Sequence, residues 1–357
     1  MHVLILGFIT SFIITFLAIP AIITVANVRK LFDQPNDRSA HGTPTPSLGG
    51  IGIFGGVICG IILWTPSLYF EQLQYIIAAI ILLFLVGTRD DLVPIPPFKK
   101  LLVQVLATLI LVYKAGIVID DCWGLLGIYH LPDIAAFFFS LVAIVGIINA
   151  FNLTDGIDGL AGSIGLVCSL FFGSWFFYAG HVEWSVVAFS LAGALTAFLK
   201  FNLTPAKIFM GDTGSLLIGL ICAVMAIEFI TLNQLLPTDD PVFFKGAPVV
   251  ALSALFIPIY DTLRVFILRM KNGHSPFHAD KNHLHHLLLD GGFSHIQSTT
   301  ILLCVNILLV LTCVGFQYVG INKLLCFLVF LTISINILLS QWVLIRKKSI
   351  AVHQRSS

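Results

Sequence analysis

Gly214-Ser-Leu-Leu-Ile-Gly-Leu-Ile-Cys-Ala-Val-Met-Ala-Ile-Glu-Phe-Ile-Thr-Leu232 decides the fold of this chain. Wound as a helix at 1.5 Å per residue, these 19 residues reach about 28 Å, enough to cross the hydrocarbon of a bilayer. Ten more runs of the same character flank it, near residues 3–25, 48–68, 73–88, 101–119, 134–151, 160–179, 184–200, 247–268, 300–318 and 323–345. Two of the eleven, 73–88 and 184–200, are short. Lipid offers the backbone no hydrogen-bond partner, so each run is expected to be helical. The fold class that follows is an all-α polytopic membrane protein with about eleven transmembrane helices.

Composition agrees. Hydrophobic residues make up 58% of the 357 and charged residues 10%, and mean hydropathy is +1.00. A soluble domain carries about 25% charged residues, so most of this chain cannot face water. A net charge of +1 provides no broad surface for nucleic acid, and no nucleic-acid partner is expected. Cys59, Cys168, Cys222, Cys304, Cys313 and Cys326 lie in apolar runs and Cys122 in a loop. Without CxxC spacing they read as small core residues rather than a disulfide framework. The stretch from Met1 to Val28 has no Lys or Arg before its apolar core and is too long for a secretory h-region. It reads as a retained first span.

An odd number of spans puts the two chain ends on opposite sides, and the basic residues then sort. One side holds 15 of the 19: Arg29, Lys30, Arg38, Arg89, Lys99, Lys100, Lys200, Lys207, Arg269, Lys271, Lys281, Arg346, Lys347, Lys348 and Arg355. The other holds Lys114, Lys245 and Lys323, and Arg264 lies within a span. By the positive-inside rule the N-terminus is outside and the C-terminus cytoplasmic. Residues 1–345 form one transmembrane domain with cytoplasmic loops near 26–47, 88–100, 152–160, 201–213 and 269–299, followed by a basic cytoplasmic tail at 346–357. No repeat or low-complexity linker divides the chain.

The acidic residues of the outer side (Glu71, Asp120, Asp121, Asp133, Glu183, Asp239, Asp240) sit in short loops and read as solvated surface. Those of the inner side fall at span boundaries: Asp90 and Asp91 close the third span, Asp155 and Asp158 follow the fifth, and Asp212 precedes the eighth. An ionised carboxylate there is costly unless paired, hydrated or bound to metal. Asn152, Asp155 and Asp158 recur every three residues, so on a helix they share a face, with Gly156, Gly159 and Gly162 interleaved. Helix capping explains a single such Asp, but not five carboxylates at three boundaries on one side.

Loop 269–299 carries His274, His278, His283, His285, His286 and His295 with Lys271 and Lys281. A zinc site lacks any cysteine partner, whereas imidazoles and lysines suit phosphate oxygens. Lys100 opens the fourth span just beyond Asp90 and Asp91, placed either to snorkel or to contact phosphate. Asp261 and Arg264, three apart in the ninth span, are expected to form an intramembrane ion pair. Carboxylates and amides at a membrane boundary suit Mg²⁺, with Mn²⁺ as a substitute, and neighbouring basic groups suit diphosphate. Phosphoryl transfer asks a protein mainly for charge neutralisation, in-line placement and an oriented nucleophile. A lipid phosphate arriving from the bilayer and a nucleotide arriving from the cytoplasm meet at that boundary.

Five sequence runs carry a resemblance: Asp33-Gln-Pro-Asn-Asp-Arg38 with His41 and Pro46-Ser-Leu-Gly-Gly50; Asp90-Asp91; Asn149-Ala-Phe-Asn-Leu-Thr-Asp-Gly-Ile-Asp-Gly-Leu160; Phe209-Met-Gly-Asp-Thr-Gly-Ser215; and Ser275-Pro-Phe with His283-Leu-His-His286. In this order, over about residues 30–296, they resemble the polyprenyl-phosphate N-acetylhexosamine-1-phosphate transferases. Within that family, the Ser-Pro-Phe and His-x-His-His forms look like bacterial undecaprenyl-phosphate GlcNAc-1-phosphate transferases. The muramoyl-pentapeptide transferase relatives typically have three consecutive histidines there.

The resemblance implies an eleven-span, Mg²⁺-dependent phosphoglycosyl transferase of the bacterial inner membrane with a cytoplasmic active site. Its partners would be a UDP-sugar donor and a polyprenyl phosphate acceptor, with a homodimer left open. Asp212 becomes the principal Mg²⁺ ligand. Asp90 becomes the base or orienter of the lipid phosphate, Asp91 a support for metal or substrate, and Asp158 a further catalytic carboxylate. Asn152, Asp155 and Asp158 match positions that contact the nucleotide-sugar, and Asn202 and Phe209 positions near base and sugar-phosphate. Lys100, His283, His285 and His286 would hold diphosphate oxygens. Some relatives carry a third acid three residues after the pair; Pro94 stands there in this chain, which leaves the base open. The implied reaction takes UDP-GlcNAc and undecaprenyl phosphate to undecaprenyl-diphospho-GlcNAc and UMP. Another UDP-N-acetyl amino sugar is the alternative donor. A transporter would place its carboxylates near the midplane of a repeated architecture, which is not the pattern here.

Overall fold

The computed structural model describes residues 1–31, 45–273, 275 and 283–356. Thirteen helices account for most of these residues. In chain order they are α1 (His2–Arg29), α2 (Gly49–Trp64), α3 (Phe70–Leu92), α4 (Pro97–Lys114), α5 (Asp133–Thr154), α6 (Leu160–Tyr178), α7 (Val182–Asn202), α8 (Gly211–Gln234), α9 (Ala247–Ala254), α10 (Phe256–Lys271), α11 (Leu284–Asp290), α12 (His295–Gly315) and α13 (Ile321–Ser356). Eight helices are long and apolar enough to cross a membrane among the described residues, and nine crossings result if α9 and α10 act as one. α2 is apolar but only 16 residues long, and α4 carries Lys99, Lys100 and Lys114. Each of the eleven expected runs coincides with one of these helices or with the α9–α10 pair. The chain is an all-α polytopic membrane protein.

The run from which the fold was read is the central strut. In α8, 83% of the apolar window is buried, against 28% in α1 and 17% in α13, so α8 is enclosed by protein while those two face outward. Close approach to α8 depends on glycine: a side-chain carbon at Gly87 of α3 would lie 2.6 Å from Thr213 Cα. Small residues also seat α1 on α2, where the Ser11 hydroxyl donates to the Gly56 carbonyl at 2.8 Å. The outward surfaces of α1 (Ile9, Ile13, Leu17), α12 (Leu308, Leu311) and α13 (Phe330, Ile337, Leu344) are exposed and apolar, as lipid contact requires.

Three features depart from expectation. The run 73–88, expected to be short, continues as helix to Leu92, carrying Asp90 and Asp91 on its last turn. The run 247–268 is broken at Leu255, where α9 and α10 meet at 77°. Pro258 is the cause, since it has no N–H for the Ala254 carbonyl four residues back. That carbonyl is served instead by Asn306 Nδ2 and Cys168 Sγ, each at 3.2 Å. Finally, a small antiparallel hairpin, β1 (Asp121–Leu125) and β2 (Ile128–His130), interrupts the helices between α4 and α5. Leu126 and Gly127 take positive φ at its turn, and Asn322 at the head of α13 accepts from the Leu126 N–H at 2.7 Å.

Successive helices reverse direction, so the ends of α3, α5 and α7 gather with the starts of α4, α6, α8 and α12 at one end of the bundle. Four of the five boundary carboxylates, Lys100 and the histidine helix α11 come together there; the hairpin and the loop carrying Asp239 and Asp240 occupy the other end. Asp155 joins the first group at the close of α5.

Candidate active site

The site begins with a joint between two helices. Asp91, on the last turn of α3, accepts from the Asp212 N–H at 2.6 Å and the Thr213 N–H at 3.0 Å. The Thr213 hydroxyl adds a third bond at 2.5 Å and also contacts the Thr88 hydroxyl at 3.2 Å. A helix start leaves its first N–H groups without partners and favours negative charge. Here the capping carboxylate comes from another helix. Gly211, the first residue of α8, has φ +71° and lies so close to Asp91 that a side-chain carbon would sit 2.7 Å from its carboxylate oxygens. The sequence Gly-Asp-Thr thus reads locally as a hinge, an exposed carboxylate and a cap donor.

Asp212 points away from that joint. Lys100, at the start of α4, bridges Asp90 at 2.8 Å and Asp212 in a closer contact. Asn152, near the end of α5, donates to Asp212 Oδ1 at 2.7 Å and to the Ser215 hydroxyl at 2.9 Å. Asp90 also caps the turn into α4 by accepting from the Ile95 N–H at 2.7 Å. Carboxylates from α3 and α8 therefore converge on the one ammonium group of α4, the three side chains 15–22% exposed, and Asn152 of α5 joins the group through Asp212. That is a charged cluster reachable from water.

The loop after α5 adds two more carboxylates. Asp155 ends the helix, and its carboxyl is held well above the usual aspartate range by burial and then by the charges of Asp212, Asp91 and Asp158. A carboxylate at a helix C-terminus also opposes the dipole. The protonated form is the one favoured by the fold, so this group stabilises below the ordinary value of 3.8, and that stabilisation is lost as pH rises toward the folded value. Asp155→Asn is accordingly expected to raise stability at pH 7, with a gain over wild type that grows from about pH 4 upward. Thermal midpoints of the two detergent-solubilised proteins between pH 4 and 8 check this; a gain independent of pH would contradict it.

Asp158 is 2% exposed and belongs to the inner wall. Thr204 donates to its carboxylate at 3.0 Å, His295 lies 3.6 Å away, and Thr299 binds its carbonyl at 2.7 Å. Asn202 ties the same loop down: its Oδ1 accepts from the Gly159 N–H at 2.8 Å and its Nδ2 donates to the Ile208 carbonyl at 2.9 Å. Phe209 is partly buried on the segment that leads into α8, where the Gly49 N–H bonds its carbonyl at 2.9 Å.

The histidines close the site from the other side. His283 caps α11, His285 and His286 occupy its first turn, and the rings of His285 and His286 lie 4.4 Å apart. The His285 ring packs directly on Gly156, between Asp155 and Asp158, where any side chain would collide with it. Burial, and then His286, push the His285 imidazole down to about 3, so it is neutral at physiological pH. His283 Nδ1 meets Asp261 Oδ2 at 2.8 Å, and the Leu284 N–H donates to Asp261 Oδ1 at 2.8 Å.

The pattern of glycosyl transferase family 4 matches residues 73–230, the segment from α3 to α8. A decaprenyl-phosphate N-acetylglucosaminephosphotransferase of Mycobacterium leprae is 32% identical over 305 residues, covering 80% of this chain and 77% of the relative. The chain belongs to glycosyl transferase family 4. An undecaprenyl-phosphate alpha-N-acetylglucosaminyl 1-phosphate transferase of Salmonella typhimurium is 31% identical over 274 residues, 75% of this chain and 71% of the relative. Its Escherichia coli K12 counterpart is 28% identical over 281 residues, covering 77% and 73%.

In this family 4 transferase, the structure brings Asp90, Asp91, Lys100, Asn152 and Asp212 into one hydrogen-bonded group. Asp155, Asp158, Asn202 and His285 form the adjoining wall. Asp33, Arg38, His41, His274, His278 and Lys281 lie outside the described residues. Asp261, expected to pair with Arg264, gives its two oxygens to His283 and Leu284 instead. Thr204 and Thr213 drew no notice in the sequence; the Asp-Thr-Gly motif was the available signal for Thr213, and nothing local marks Thr204. Among the described residues no three His, Cys, Asp or Glu side chains are grouped to hold a metal unaided. Asp90 and Asp212 nevertheless converge on a shared cation, the Lys100 ammonium. Two hard carboxylate oxygens, with water and substrate phosphates completing the shell, are a fitting donor set for Mg²⁺.

Proposed function

We propose that this transferase moves N-acetylglucosamine 1-phosphate from UDP-GlcNAc to undecaprenyl phosphate, releasing UMP and leaving undecaprenyl-diphospho-GlcNAc. The proposed setting is the cytoplasmic face of the bacterial inner membrane, at the first membrane step of a cell-surface polysaccharide of O-antigen, common-antigen or teichoic-acid type. The observation that carries this reading is the convergence of Asp90, Asp212, Asn152 and Lys100 at one end of a membrane bundle. The relatives' polyprenyl-phosphate and N-acetylglucosamine names support the acceptor and sugar.

Asp212 and Asp90 would hold Mg²⁺, which supplies neutralisation of the diphosphate charge. Lys100 binds phosphate oxygens from the α4 side. Asp90 orients the lipid phosphate; the geometry favours it over Asp91, whose oxygens already serve α8. Asn152, Asp155 and Asp158 contact the nucleotide-sugar, with Asn202 holding their loop and Phe209 beside the base. His283, His285 and His286 face the diphosphate, and His285 acts there as a neutral group. An oxygen of the lipid phosphate forms a bond to the sugar-bearing phosphorus, and the bond from that phosphorus to the bridging oxygen breaks, so UMP departs with the bridge. The acceptor is already anionic at neutral pH, so one displacement suffices and no covalent enzyme intermediate is needed.

A panel of UDP-sugars tests this with purified protein and undecaprenyl phosphate, with and without Mg²⁺. UMP release is expected with UDP-GlcNAc and is expected to stop on chelation. Faster release with another UDP-N-acetyl amino sugar would reassign the donor. Scrambling of bridging oxygen in UDP-GlcNAc without lipid would overturn the single displacement.

A further inference from the structure

Asp261 is a buried carboxylate whose partners lie far along the chain. It sits near the start of α10, just past the break at Leu255, and its side chain is 6% exposed. Burying a carboxylate is costly unless each oxygen is bonded. Both are: Oδ2 to His283 Nδ1 and Oδ1 to the Leu284 N–H, each at 2.8 Å. The first partner is the cap residue of α11 and the second its first helical residue. One side chain therefore sets both the direction of α11 and the setting of the His283 ring.

The hydrogen-bond chemistry fixes more than orientation. An ionised carboxylate only accepts, so Nδ1 of His283 is the donor and Nε2 is the nitrogen available to a ligand. The His283 and His285 rings are parallel within 10° at 5.6 Å, and His285 lies against the Asp155–Asp158 loop. We propose that Asp261 is the positioning residue for His283, holding its Nδ1–H so that Nε2 is presented to the diphosphate of the nucleotide donor. A phosphate oxygen bonded at Nε2 would stand in front of the ring, with the Asp261 carboxylate behind it at Nδ1. This rests on the reading of His283 as a donor-phosphate ligand.

The test is a double-mutant cycle with Asp261→Asn, His283→Gln and the pair, assayed with UDP-GlcNAc and undecaprenyl phosphate. His283→Gln is expected to raise KM for the nucleotide by about 10–100-fold, and Asp261→Asn by a similar factor, as for other groups that orient a ligating histidine. KM for the lipid stays within about 2-fold in both, and the double variant matches His283→Gln within about 3-fold. Asp261→Glu, which keeps the acceptor charge, recovers most of the loss. Multiplying losses, or equal rises in both KM values, would show that Asp261 serves only the packing of α11 and overturn the proposal. A His283→Gln enzyme with wild-type nucleotide KM would instead remove the reading of His283, and Asp261 with it. Should Asp261→Asn not fold, the Glu variant decides: a nucleotide KM within about 3-fold of wild type, or a rise that vanishes in the pair with His283→Gln, supports positioning, and a rise that multiplies with that of His283→Gln refutes it.

Discussion

Asp212→Asn is expected to lower UMP release by about 10³-fold or more while the protein remains folded in membranes. The carboxylate loses its charge but keeps one oxygen, so Asn152 retains its acceptor and Lys100 retains Asp90. The helix start is untouched, because its N–H groups bond to Asp91 rather than to the Asp212 side chain. The lost quantity is a fixed negative group facing the Lys100 cluster, where a divalent ion and a diphosphate would be neutralised. The check is steady-state UMP release beside a thermal midpoint in detergent. Turnover above a tenth of wild type, with the midpoint unchanged, would remove Asp212 from the centre of the chemistry.

Asp91→Ala should behave differently, because stability falls together with activity. The change leaves two backbone N–H groups without their acceptor at a buried helix start, and leaves the Thr213 hydroxyl only its longer contact with Thr88. Each orphaned donor costs about 1–3 kcal/mol, and the two orphaned N–H groups with the weakened Thr213 bond, not being additive, about 3–5 kcal/mol. For a chain of 357 residues that is a drop in apparent midpoint of roughly 4–7 °C at fixed scan rate. Asp90→Ala is the control. It removes the bond to the Ile95 N–H and one partner of Lys100, so it should cut turnover with a midpoint within about 3 °C of wild type. Equal midpoints for the two variants would mean that Asp91 works on substrate instead of on α8.

That contrast shows where sequence reading stops. Asp90 and Asp91 are neighbours of identical chemistry, but a helix turns about 100° per residue, so they face different helices. One meets Lys100 and the other meets the start of α8; only the packing of α3 against α8 at Gly87 decides which. The broad layout was legible because lipid permits so few solutions: an apolar run of α8's length must be a helix, and carboxylates must gather where water reaches. The break at Leu255 had a visible cause in Pro258, yet the two partners that make it tolerable, Cys168 and Asn306, are 86 and 52 residues distant from Ala254. Asp261 was misassigned for a similar reason: three-residue spacing pointed to Arg264, while the true partner is 22 residues away on another helix. The hairpin at 121–130 rests on an anchor, Asn322, nearly 200 positions downstream, which no local pattern foretells.

The joint at Asp91 has a practical consequence for anyone wishing to build this chemistry elsewhere. The Asp212 carboxylate is aimed by a fastening between two separate helices, through Gly211, Thr213, Thr88 and Asp91. A designed scaffold that copied only the acids of this site would inherit their charges without their aim. Transplantation would need the four fastening residues moved as a block, together with the glycine contacts that let α3 and α8 lie side by side.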